Sequence, residues 1–428
     1  MFRRLRNIVS NQRLKQLGPG LITGAADDDP SGIATYSQAG AQFGYSLAWT
    51  MVFTYPLMVG IQMISARLGC ITGRGLAANI KAAFPRPVLL GVVGLLLLAN
   101  AFNIAADIAA MGEALRLLLG GPAHVYSLGF GLLCLVLQVF LSYQTYVRYL
   151  KWLTLALLSY VAVAFIIHVP WGTVAAESLL PRLSLNSATL MMIVAVFGTT
   201  ISPYLFFWQA AQEMEDSRLL ARAHNSTSLT PESLRVANAH LRRIKWDTYI
   251  GMGFSNAVAF FIIVSTAATL HAAGITDIQT SAQAAEALRP LGGEFTFLLF
   301  SLGIIGTGLL AVPVLAGSAA YAVAETFDWP TGLDMKWHDA RQFYAIIAVA
   351  TLGGVVLNFA PTDPIKELLW SAMINGVIAV PIMAVMMVLA ADKRIMGPFV
   401  IRRWLQCLGW MATAVMAAAV IAMLLTII

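Results

Sequence analysis

Charge is the scarcest commodity in this chain: only 11% of the residues are Asp, Glu, Lys or Arg, where soluble domains carry about 25%. Hydrophobic residues make up 59%, and the mean hydropathy is +0.75. A soluble domain cannot hide that much apolar surface, so soluble enzymes are excluded and the solvent must be lipid. Cysteine is nearly absent. Cys70, Cys134 and Cys407 lie far apart without CxxC spacing, which argues against a disulfide framework or a zinc site. No Walker motif, catalytic triad or nucleotide-binding glycine loop stands where it could work, which removes ATP-driven pumping. The basic, polar start, Met1 to Gln16, runs into a segment too long and too acidic for a signal-peptide core, so no cleavable leader is expected.

What is present is a series of long apolar runs. Crossing the hydrocarbon takes about 20 residues of helix, and eleven segments qualify: 18–42, 45–69, 88–119, 124–143, 148–169, 188–212, 246–270, 295–327, 340–360, 364–391 and 402–428. Gly and Pro punctuate the gaps, as in Phe84-Pro85-Arg86-Pro87 and Gly120-Gly121-Pro122. The net charge of +6 reads as membrane orientation rather than nucleic-acid binding. With the N-terminus in the cytoplasm, 22 Lys and Arg fall on the cytoplasmic side, and only Arg182, Arg289 and Lys366 fall outside. That bias predicts N-terminus in and C-terminus out. A basic tail (1–17), a transport domain (18–391) and an additional helix (402–428) follow. The stretch 213–245 is expected to be a cytoplasmic loop with some amphipathic helix and a turn at Asn225-Ser226-Thr227-Ser228.

Two spans are interrupted. Span one carries Asp27, Asp28 and Asp29 before Pro30-Ser31-Gly32. A charge at mid-bilayer costs about 2.5–3.5 kcal/mol on insertion scales, so such residues face a cavity, an ion or a partner. Asp29 precedes proline and is biased away from helix. It is the first candidate for an ion ligand, the alternative being a cap on the half-helix that follows. Asp27 and Asp28 are expected to bond neighbouring helices or line an inner vestibule. Span six breaks at Ser202-Pro203-Tyr204, where Pro203 removes a backbone donor and exposes carbonyls. The two breaks stand five spans apart, in matching places of two repeats, 18–169 and 188–391. Five is odd, so the repeats are inverted, and matched breaks point to a transport site between them. The candidate site is Asp29, Ser31 and Gly32, the carbonyls of Ala26 and Thr199, Ser202 and Tyr204, with breaks at Pro30 and Pro203. On span three, Asn100, Asn103 and Asp107 share a face; they extend a polar pathway or form a network joining helices. Glu113 lies on the same span. Asn256 and Asn375 read as packing residues, and His124, His168 and His271 as solvated groups at outer helix ends.

These residues resemble the NRAMP metal-transporter family over nearly the whole chain. Gly18-Pro19-Gly20 opens the match, Asp29-Pro30-Ser31-Gly32 stands where the family has Asp-Pro-Gly-Asn, and Gln42-Phe43-Gly44-Tyr45 follows. Thr200-Ile201-Ser202-Pro203-Tyr204 replaces Thr-Ile-Met-Pro-His, and Ile104-Ala105-Ala106-Asp107-Ile108-Ala109 is similar to Ile-Ala-Thr-Asp-Leu-Ala. Ala391-Asp392-Lys393-Arg394-Ile395-Met396-Gly397 matches a further stretch. The resemblance implies an all-α polytopic protein of LeuT-type fold: two inverted five-helix repeats plus an eleventh helix, and a transporter rather than an enzyme.

The departures concern the family's metal and proton chemistry. Gly32 replaces the Asn ligand, Ser202 the Met ligand, Tyr204 the His, and Ala110 the Glu after the helix-three Asp. Ala379 stands where a helix-ten Gln is expected, and 343–359 contains no Lys or Arg in its interior. A thioether favours soft transition metals, whereas Ser202 offers a hard oxygen; Gly32 removes a side chain and is expected to enlarge the pocket, which suits Mg²⁺, an ion that dehydrates reluctantly. The first reading is therefore transport of a hard, hydrated divalent cation, Mg²⁺ ahead of Mn²⁺, without the family's proton coupling. The second is transport of a small anion such as bicarbonate, bound at half-helix N-termini and coupled to Na⁺ or H⁺. A sensor, a scaffold and a channel are further readings. The expected partners are an inorganic ion, the lipid bilayer and a co-transported Na⁺ or H⁺. No cofactor, nucleic acid or obligate protein partner is called for, and a bacterial inner membrane is the expected location.

Overall fold

The computed structural model describes residues 23–24, 26–140, 153–181, 184, 186–224, 231–333, 335–359 and 363–427, with side chains at all of these except 153–154, 218–224, 231–236 and 427. Among the described residues the chain is helical and has no strand. Residues 23–24 and 26–27 are helical, the chain breaks at Asp28–Asp29, and α1 (Pro30–Phe43) completes span one. There follow α2 (Trp49–Thr72), a short α3 (Leu76–Ala83), α4 (Arg86–Leu119), α5 (Ala123–Phe140), α6 (Leu158–Ile166) and α7 (Trp171–Leu179). The second half holds α8 (Ser187–Thr200), α9 (Pro203–His224), α10 (Pro231–Thr266), α11 (Thr296–Thr326), α12 (Arg341–Leu357), α13 (Pro364–Ala391) and α14 (Arg403–Ile427).

Among the described residues, eight helical stretches are long and apolar enough to cross a bilayer, and a pair bent by 117°, Leu155–Ile166 and Trp171–Leu179, makes a ninth if it is counted as one span. Span nine, α12, has 17 residues, about 25 Å of helix, and falls just short. Span one is divided by its break. The start of span five, 148–152, lies outside the described residues.

Local sequence explains the ends. Asn186 caps α8 by accepting from the Thr189 amide at 2.8 Å. Asp363 caps α13 by accepting from the Ile365 amide at 3.1 Å, with Pro364 in the first turn. α10 closes in a π-helical turn, Ala267–His271. His271 Nδ1 then donates to the Ala41 carbonyl at 2.8 Å, so this imidazole joins two spans rather than standing only in water.

The expectation of a loop over 213–245 needs correction. Residues 213–224 continue α9, and 231–245 belong to α10. The expected turn at 225–228 lies outside the described residues. Ion pairs hold the two extensions together. The buried carboxylate of Glu213 accepts from Arg243 at 2.6 Å, and Asp216 accepts from the same guanidinium at 2.9 Å. Over 213–224 and 231–245 the polar sequence is helix.

α1 packs between α8, α10 and α13, while α4 runs beside α11 and α13. The innermost helices are thus the two broken spans and their partners. α8 crosses α13 at two glycines: a methyl group at Gly198 would meet the Ala372 carbonyl and the Gly376 backbone.

Candidate functional site

The break in span one follows from proline. Asp29 is extended, with φ −69° and ψ 170°, and Pro30 begins α1. Asp29 Oδ1 accepts the Gly32 amide at 2.7 Å, so the cap foreseen as the plain alternative exists. It uses one oxygen. The other, Oδ2, accepts from the Tyr204 phenol at 3.3 Å, and that phenol also lies 3.1 Å from the Ala26 carbonyl. Tyr204 thereby bridges both sides of the break in span one from the second half of span six.

The break in span six is organised by Ser202. Pro203 lacks the N–H that the Thr199 carbonyl would normally accept. The Ser202 hydroxyl takes over, lying 2.8 Å from the Thr199 carbonyl and 3.0 Å from that of Gly198. The carbonyls of Ala26 and Thr199, both candidate ligands, each accept one hydrogen bond here, which leaves one lone pair apiece.

Two further expectations change. The Ser31 hydroxyl turns toward α13, with the Leu368 carbonyl at 2.9 Å and Ser371 Oγ at 3.1 Å. Gly32 was expected to enlarge the pocket. A methyl group there would sit 3.1 Å from Thr199 Oγ1, 3.3 Å from the Tyr36 ring and 3.4 Å from Asp29 Oδ1, so neighbouring side chains fill the space. Glycine instead permits the close approach of α1 and α8 beside Asp29. A cavity of about 10 Å³, lined by Ile33, Ser37, Ala110, Ser281, Ile304 and Leu368 among others, lies along α1 and has room for about one water.

Asp27 and Asp28 face α10. Ser255 Oγ lies 2.6 Å from Asp27 Oδ2 and 3.0 Å from Asp28 Oδ1. The glycines 24 and 251 explain this contact: a methyl group at Gly24 would run into the Gly251 backbone, and Ser255 stands one turn further along. Sequence reasoning missed Ser255, and it missed Tyr36, whose hydroxyl lies 3.1 Å from Thr200 Oγ1. Position 36 is one helical turn after Gly32, a spacing that places both on one face of α1.

From α4, Asn103 and Asn375 of α13 exchange amide hydrogen bonds at 2.9 and 3.1 Å. Asn100 donates to the Leu315 carbonyl and to Ser318, both at 2.8 Å, and Asn256 donates to the Met51 carbonyl at 3.0 Å. Glu113 pairs with Arg116 at 2.7 Å. Asp107 is different. It is wholly buried and faces the Ser31 amide at the N-terminal end of α1, yet neither carboxylate oxygen has a hydrogen bond of normal geometry.

Four carboxylates are thus buried around the two breaks, at 1% (Asp27), 2% (Asp28), 1% (Asp29) and 0% (Asp107) exposure. Among the described residues no Lys, Arg or His pairs with any of them. Nor, among those residues, does any group of three or more His, Cys, Asp and Glu have the geometry to hold a metal ion alone. A chamber of this kind can hold a small cation on few side-chain ligands, with neutral oxygens or water completing its shell.

Two interrupted helices meeting at a closed polar centre inside a helical membrane bundle define a transporter of the LeuT-type fold, with two inverted five-helix repeats and an eleventh helix. The chain belongs to the Nramp family, natural resistance-associated macrophage protein-like, whose model matches residues 20–426. It is 27% identical over 419 residues to the divalent metal cation transporter MntH of Klebsiella pneumoniae (strain 342), covering 95% of this chain and 92% of that one. The MntH of Pectobacterium carotovorum is 26% identical over 409 residues, with 93% and 90% covered. Among solved structures, the Eremococcus coleocola manganese transporter superposes with a TM-score of 0.73 at 18% identity, over 96% of this chain and 86% of that one. MhsT bound to L-phenylalanine superposes at 0.61 and 12% identity, over 95% and 98%. Members of this family are transporters, not enzymes, and the chain is an integral membrane protein.

Proposed function

We propose that this protein carries a hard divalent cation, Mg²⁺ ahead of Mn²⁺, across a bacterial inner membrane by alternating access. One observation carries the reading: four buried carboxylates surround the paired breaks, and no basic side chain among the described residues offsets them. Charge of one sign in lipid calls for charge of the other, and here it would come from the cargo. The names of the relatives, divalent metal cation and manganese transporters, agree with a divalent cargo. The hard oxygens of Asp29, Thr199 and Ser202, in place of a thioether, favour Mg²⁺.

Asp29 supplies the central charge. The anion reading loses its best seat, because the amide end of α1 is already capped by Asp29. Transport is proposed to proceed without proton coupling, since Ala110 and Tyr204 offer no carboxylate or imidazole there. The basic bias of the loops supports an N-terminus in the cytoplasm and a C-terminus outside.

Reconstituted liposomes test this. Trapped Mg²⁺ and Mn²⁺ dyes should report influx that Asp29→Ala abolishes, with no accompanying internal acidification. Bicarbonate-dependent alkalinisation without divalent influx would instead establish the anion reading.

A further inference from the structure

Asp107 is the one carboxylate of the four for which neither oxygen has a hydrogen bond of normal geometry, the Ser31 amide being its nearest polar neighbour. Asp27 and Asp28 turn to Ser255 on α10. Asp29 is held by the Gly32 amide and the Tyr204 phenol. Asp107 has both oxygens buried and neither in a hydrogen bond of normal geometry, although its neighbours on α4, Asn100 and Asn103, are fixed to α11 and α13. A buried carboxylate in that condition costs several kcal/mol, so a sequence that keeps one is expected to give it a partner that comes and goes. Its position limits what that partner is. It stands beside the N-terminal end of α1, which Asp29 caps, and Asp29 is the charged group near enough to act on it. A cation that approaches Asp29 therefore also lies in the field of Asp107.

We infer that Asp107 is the second carboxylate of the cation site and sets its preference for divalent over monovalent ions. The inference rests on the cation-transport reading above. The reasoning is one of charge. Coulomb energy is proportional to the charge of the ion, so removing one carboxylate costs a divalent ion twice what it costs a monovalent one. In affinity that is a square: if Na⁺ binding falls about tenfold, Mg²⁺ and Mn²⁺ binding falls about a hundredfold. Asp29 alone attracts any small cation, and the pair selects the doubly charged one. Two carboxylates and a set of neutral oxygens also suit an ion that keeps part of its water.

The test uses the full-length protein in detergent, with bound Mn²⁺ read by electron paramagnetic resonance and with Mg²⁺ and Na⁺ as competitors. Asp107→Asn should weaken Mn²⁺ and Mg²⁺ about tenfold more than it weakens Na⁺. Asp107→Glu, which restores the charge, should keep the wild-type ratio within about threefold. If Asp107→Asn does not yield a monodisperse protein, Asp107→Ser serves as the charge-removing variant under the same criterion. An unchanged divalent-to-monovalent ratio, whether from no loss or from equal losses, overturns the role of Asp107 and leaves Asp29 as a site. Absence of any divalent binding to the wild-type protein overturns the transport reading itself, and this inference with it.

Discussion

Tyr204 and Asp29 stand 175 residues apart in the chain, yet phenol and carboxylate meet at 3.3 Å between the two helix breaks. The same phenol reaches the Ala26 carbonyl at 3.1 Å. Tyr204→Phe removes the one hydroxyl hydrogen that these two buried acceptors share, at a cost of about 1–3 kcal/mol. Thermal unfolding in detergent should show the loss as a lower midpoint. Divalent binding should persist, because the phenylalanine frees Asp29 Oδ2 rather than removing it. Complete loss of binding would mean that the phenol is itself a ligand.

Ser202 restores the hydrogen bond that Pro203 removes from the Thr199 carbonyl. Ser202→Met should therefore act twice. It leaves that carbonyl unsatisfied, and it introduces a soft thioether beside the site. The expected outcome is a shift of the Mn²⁺-to-Mg²⁺ preference toward Mn²⁺, measured by competition, with reduced thermal stability. Ser202→Ala separates the effects: it should match the stability loss without the shift in preference.

Gly198 touches α13 backbone to backbone. Gly198→Ala places a methyl group against the Ala372 carbonyl and Gly376. Overpacking costs about 1–3 kcal/mol even where side chains can adjust, and here the obstacle is main chain. Reduced yield of monodisperse protein and a lower unfolding midpoint are expected, whereas an unchanged midpoint would mean that the two helices are free to separate.

Glu213 is fully buried and Arg243 is its close ion-pair partner, with Asp216 and His240 alongside. Breaking such a pair from one side costs about 3–5 kcal/mol, because a charge is left buried. Arg243→Met should lower the unfolding midpoint strongly. Adding Glu213→Gln should recover part of the loss, and this non-additivity identifies the pair.

Much of this was legible in the sequence because lipid imposes simple demands. Spans such as 364–391 show themselves by length, since every backbone group must be paired within its own helix. The break at Pro30 shows itself because the residue before proline is pushed out of helical geometry, and Asp29 lies where that rule puts it. Contacts between distant spans left no such signature. Nothing in the run around Ser255 announces that it will meet Asp27 and Asp28, although the glycines at 24 and 251 mark where the helices touch. The turn of Ser31 toward Leu368 depends on the rotation of α1 against α13, which hydrophobic period does not fix when a helix is buried all round. The 117° bend after span five and the small helix α3 were missed for a related reason: elements this short have no long apolar run of their own to betray them.

The helical continuation over 213–224 has a mechanical meaning. α9 starts at the break beside Asp29 and continues for 22 residues without interruption, a rod of about 33 Å. A stiff rod pivoting at one end magnifies small displacements at the other. A tilt of about 10° at Pro203 would carry the far end of α9 through about 6 Å, by the length of the rod alone. The ion pairs from Glu213 and Asp216 to Arg243 couple that sweep to α10, so a small adjustment beside Asp29 is passed on to both helices far from the break.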